Sequence, residues 1–66
     1  MAEPRLLERE LVVLRLVAEG NGNAEIASIL GCSAHTVKNT IHDLMVRVGL
    51  RNRAHATAYA IRNNLI

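Results

Sequence analysis

Three glycine-containing breaks dominate this sequence: Gly20-Asn21-Gly22, Gly31-Cys32-Ser33 and Gly49-Leu50-Arg51-Asn52. They cut its 66 residues into short apolar-rich segments, none near the roughly 20 residues of a membrane span. Leu, Ala, Val and Ile supply the apolar half, interleaved with charges, a composition that favours packed amphipathic helices. No segment alternates with period two for long enough to make a strand. The breaks therefore predict an all-α fold, a four-helix bundle with helices at about 8–19, 23–30, 34–48 and 53–63. A leader of residues 1–6 comes first, punctuated by Pro4, and the whole of 1–66 reads as one domain.

The helix ends have mechanisms. Gly20 suits the left-handed close of the first helix, and Asn64 tolerates the same geometry at the end of the last. Asn23 or Gly22 begins the second helix. Ser33 is a strong N-cap for the third, its hydroxyl accepting from the N–H of His35 or Thr36, and Asn52 caps the fourth.

A domain this small buries only about 60% of the surface its unfolded chain exposes. Its one cysteine forms no internal disulfide, and no Cys/His spacing suggests structural zinc. Stability must come from helix packing, from oligomerisation or from attachment to a larger protein. The lone thiol, and a start (Met-Ala-Glu-Pro-Arg) without an apolar signal region, fit the cytoplasm.

A formal charge of +2 says little until it is divided along the chain. Residues 1–25 carry three arginines against five glutamates, for −2; residues 26–66 carry Lys38 and four arginines against Asp43, for +4. All three histidines, His35, His42 and His55, lie in the later part. That asymmetry suits a polyanionic partner for the C-terminal side; a solvated basic face would look the same.

The second and third segments decide between them. A short helix, a three-residue turn containing glycine and a longer helix form the helix-turn-helix pattern. Ala27 is small enough for the next helix to approach closely, and Cys32 would plug the angle as a small buried hydrophobe. At about 100° per residue, Val37, Ile41, Leu44 and Val48 share one stripe. The opposite face carries His35, Asn39, His42 and Val46, flanked by Lys38 and Asp43. Lysine can contact guanine or phosphate, and asparagine can read adenine with two bonds. A recognition helix presents such side chains to base edges in the major groove of double-stranded DNA.

The sequence also resembles the LuxR-type (GerE/FixJ/NarL-like) DNA-binding domain of bacterial transcription regulators. The residues that carry the resemblance are Arg9-Glu10, Val13-Leu14, Ala18-Glu19-Gly20, Asn23-Ala24-Glu25-Ile26-Ala27, Leu30-Gly31, Ser33, Thr36-Val37-Lys38-Asn39, Leu50, Asn52-Arg53 and Tyr59-Ala60. They span nearly the whole chain. The resemblance implies a third helix in the major groove and a fourth that helps form a homodimer on a two-fold site. It places Lys38, Asn39 and His42, with His35 on the same face, against the bases, and Ser33, Thr36 and Arg51 against phosphates. It assigns the dimer face to Ala54, Thr57, Ala58 and Ile61. Those four also share a helical stripe by spacing, which would equally serve as core.

Some positions depart from the family. Leu7 stands where a Thr or Ser usually completes a capping box with Glu10, a loss of roughly 1 kcal/mol. Ala24 and His42 stand where basic residues are common, which implies weaker non-specific affinity. Thr40 replaces the usual histidine. Val12 and Ile29 occupy positions that are often polar, and suit contact with RNA polymerase or an N-terminal regulatory domain.

Two other readings use the same residues. A sigma-factor region that reads promoters shares the Arg-Glu first helix and the Glu-Ile-Ala core, but it has no need of a small-residue stripe on a fourth helix. A protein-interaction module without DNA binding would use Val12 and Ile29 and leave the polar face of the third helix unexplained. Catalysis has no support: His35 and His42 lack a carboxylate or thiol to complete a set, and no cofactor or metal is implied.

Overall fold

In a computed structural model that describes residues 6–65, the chain forms α1 (Glu8–Ala18), α2 (Asn23–Leu30), α3 (Ala34–Val48) and α4 (Arg53–Arg62). No strand occurs among the described residues. The four expected helices are all present. The first and last stop one residue short of expectation, with Glu19 and Asn63 as C-caps. Residues 1–5 of the expected leader lie outside the described residues. Leu6 is not leader at all, because it packs half-buried on the core.

The caps follow from local chemistry. Ser33 accepts from the backbone N–H of Thr36 at 3.1 Å, and Asn52 from that of His55 at 2.8 Å. Gly22, rather than Asn23, is the N-cap of α2, and its N–H donates to Glu25 at 2.8 Å. At α1 only the reciprocal half of a capping box forms. The Leu7 N–H donates to Glu10 Oε1 at 2.8 Å, while leucine has no side-chain oxygen to return the bond.

The turn between α2 and α3 depends on a left-handed residue. Gly31 has φ 70°, a conformation a Cβ would strain, and it lets Cys32 donate its N–H back to the Ala27 carbonyl at 3.0 Å. Gly49 repeats the device after α3 at φ 84°, sending the Leu50 N–H to Met45 O at 2.8 Å. This second turn drives Leu50 into the interior. Asn64 takes the expected positive φ, 56°.

Two apolar clusters share α1 as a common wall. Val13 and Val17 pack with Ile26, Ala27, Val37 and Ile41; Leu14 packs with Leu44, Leu50, Ala56 and Ala60. Neighbours in sequence, Val13 and Leu14 point about 100° apart and so serve different clusters. Met45 touches both. The stripe of α3 faces inward as expected at Val37, Ile41 and Leu44, while Val48 is half-buried against the second cluster. Cys32, expected as a buried plug, is only half-buried against the first.

An ion pair between Glu10 and Arg47 locks α1 to the last turns of α3. Glu10 is 6% exposed, a costly place for a carboxylate without partners. The Arg47 guanidinium supplies the opposite charge and the Leu7 N–H a further bond. Among the described residues, no buried side-chain polar atom lacks a partner.

Candidate nucleic-acid interface

The third helix presents two faces of opposite character. Val37, Ile41 and Leu44 bury one side in the core, which fixes the rotation of the helix. The other side is thereby forced outward. His35, Lys38, Asn39, His42, Asp43 and Val46 are all exposed. Among the described residues, no side-chain hydrogen bond or ion pair engages His35, Lys38, Asn39 or His42. The helix backbone sets the direction of these side chains, whose donors and acceptors have no partner among the described residues.

Ser33 and Thr36 sit at the N-terminal end of this face and carry a double duty. Their hydroxyls lie 3.0 Å apart, and Ser33 Oγ also accepts the Thr36 N–H. Whichever hydroxyl donates across that contact, the other keeps its proton. One O–H at the tip of the helix is therefore free for an external acceptor. Thr40 is different: its hydroxyl donates to the Thr36 carbonyl at 2.9 Å, back along its own helix.

Arg51 is exposed in the loop before α4. Its backbone N–H donates to His55 Nδ1 at 3.1 Å, while the His55 N–H goes to the Asn52 side chain. The two bonds fix the loop and leave the Arg51 guanidinium without a partner among the described residues.

Two braces were not visible in the sequence. Arg53 donates to Asn23 Oδ1 at 3.0 Å and to the Asn21 carbonyl at 2.8 Å, tying the start of α4 to the start of α2. Arg47 is held by Glu10. These contacts join residues 30, 32 and 37 positions apart, beyond any local periodicity. They also sort the positive charges. Arg47 is neutralised by its partner. Arg53 binds neutral acceptors and keeps its full charge, alongside the unpaired Lys38 and Arg51.

The stripe on α4 resolves in one direction. Ala56 and Ala60 are buried and Tyr59 packs behind them, whereas Ala54 and Ala58 are exposed, Thr57 is half-buried and Ile61 is 58% exposed. Ala54, Thr57, Ala58 and Ile61 are thus an outer face and not core.

Elsewhere, a hollow of about 350 Å³ is lined by Glu8, Leu11, Val12, Arg15, Asn64 and Leu65, with no residue from α3. Among the described residues, no three His, Cys, Asp or Glu side chains converge as metal ligands, and no helix is long and apolar enough to cross a membrane.

Comparison with known proteins meets this geometry. Residues 5–60 match the family described as bacterial regulatory proteins, luxR family. The chain is 38% identical over 61 residues to response regulator protein VraR of Staphylococcus aureus, and equally to those of Staphylococcus saprophyticus and Staphylococcus epidermidis. Each alignment covers 92% of this chain and 29% of the relative, so the chain spans less than a third of those proteins. The match over most of its length makes this chain a member of the LuxR family of bacterial regulatory proteins, a helix-turn-helix domain of DNA-binding transcription regulation and not an enzyme.

Proposed function

We propose that residues 1–66 act as a single sequence-specific DNA-binding domain, with α3 in the major groove and two copies paired on one site. The observation that carries the reading is the exposed, unpartnered polar face of α3. Lys38, Asn39 and His42, with His35, would meet base edges there. Ser33, Thr36 and Arg51 flank that face and suit phosphates. Ala54, Thr57, Ala58 and Ile61 form the pairing face, supported by the exposure of Ala54, Ala58 and Ile61 and the small size of the two alanines. Exposed Val12 and Ile29 are the candidate contacts for RNA polymerase or a preceding regulatory domain, such as a response regulator would carry. The setting is the bacterial cytoplasm, where the DNA lies.

Duplex binding titrated against salt tests the core of this reading. Neutralised phosphates release counterions, so log affinity falls linearly with log salt by about 0.9 per phosphate. A protomer neutralising two phosphates gives a slope of about −2, and a pair about −4. A slope near zero would mean that the basic surface does not touch the backbone.

Pairing is tested by Ala58→Glu. The change places a carboxylate on each of two facing surfaces and has no core to disturb. Affinity for a duplex with both half-sites should drop about tenfold or more, with a single half-site nearly unaffected. Equal losses on both duplexes would remove α4 from the interface.

A further inference from the structure

Val46 is 69% exposed, more than any other large apolar side chain among the described residues. Its position is not incidental. At 100° per residue, His35, Asn39, His42 and Val46 fall within roughly 60° of one another along α3. Val46 therefore continues the unpartnered face by one further turn and ends it with an apolar group. Lys38 and Asp43 flank this stripe, and neither offers Val46 an apolar neighbour. The side chain has no hydrogen-bonding capacity and no charge, so it serves neither phosphate nor the polar edge of a base.

One group in the major groove matches it: the C5 methyl of thymine, which is read by apolar contact. We infer that Val46 is a specificity-determining residue that packs on a thymine methyl at the far edge of each half-site. The inference rests on the placement of α3 in the major groove. It adds a spacing. Seven residues separate Asn39 from Val46, about 10 Å along the helix. At about 3.4 Å per base step, and with α3 oblique to the DNA axis in the groove, the thymine lies about two to three base pairs from the base that Asn39 reads.

The test uses the whole chain and a duplex selected from a random pool. Each thymine of the bound site is replaced in turn by deoxyuridine, which deletes the methyl group and leaves pairing intact. One thymine per half-site, about two to three pairs from the Asn39 contact, should lose about fourfold in affinity, the worth of one buried methyl. In Val46→Ser the same replacement should cost nothing, and selection should no longer favour thymine there. Circular dichroism of Val46→Ser should match the parent, since the position is exposed. If every thymine tolerates uracil, or the penalty persists undiminished in Val46→Ser, the contact is overturned while DNA binding stands. Absence of any preferred duplex would overturn this inference and the major-groove reading together.

Discussion

Replacing Lys38 and Asn39 together with alanine should lower affinity for the selected duplex by about a hundredfold or more. Each side chain is worth about 1–3 kcal/mol against a specific base, and 1.4 kcal/mol is a factor of ten. The two are adjacent and can share a base step, so the double change need not equal the sum of the singles. Stability should hardly move. Both side chains are exposed, neither has an internal partner, and alanine favours helix. Salt dependence separates two roles for Lys38. If its ammonium sits on phosphate, Lys38→Ala shallows the slope by about one and leaves base preference intact. If it reads guanine, preference at that base pair relaxes instead. Binding by competition against non-specific duplex measures both, and retention of affinity and preference by the double variant would remove α3 from the groove.

The largest effect on stability is expected at Ile26. Its side chain is 0% exposed and meets Val13, Val17, Ala27, Val37 and Ile41 where α1, α2 and α3 converge. Ile26→Ala leaves a cavity that three helices must close over, at a cost of about 2–5 kcal/mol. A core this small rarely supplies more than about 3–5 kcal/mol in total. The variant should therefore be substantially unfolded at room temperature in a urea or thermal melt followed by circular dichroism. Ile29 offers a matched control: the same residue type on the same helix, but 59% exposed. Ile29→Ala should stay within about 0.5 kcal/mol of the parent. Similar melting for the two variants would mean that the first cluster is not the centre of stability.

The contrast between Ile26 and Ile29 also shows what was legible in the sequence. Breaks at Gly20, Gly31 and Gly49 mark the helices because each supplies a positive φ that other residues resist, and the structure uses all three. The rotation of α3 was legible because Val37, Ile41 and Leu44 share one stripe, opposite a face on which Val46 is the one apolar exception. α4 offered no such contrast. Alanines at 54, 56, 58 and 60 alternate around it, so nothing local tells an inner alanine from an outer one. Packing against Leu14, Leu44 and Leu50, distant in sequence, is what buries Ala56 and Ala60. Leu50 lay inside a break and reads as loop, yet the Gly49 turn carries it into the core. The Glu10–Arg47 pair was hidden for another reason: attraction between charges 37 positions apart leaves no periodicity to detect.

The shared wall of α1 has a mechanical meaning for regulation. Because Val13 and Leu14 anchor different clusters and Met45 joins both, neither half of the protein has a foundation of its own. The helix proposed to meet bases, α3, and the helix with the outer stripe, α4, both pack on that one wall. A change that loosened α1 would take wall residues from both clusters at once. The first helix is thus a common footing, with Val13 and Val17 under the α2–α3 side and Leu14 under the α4 side.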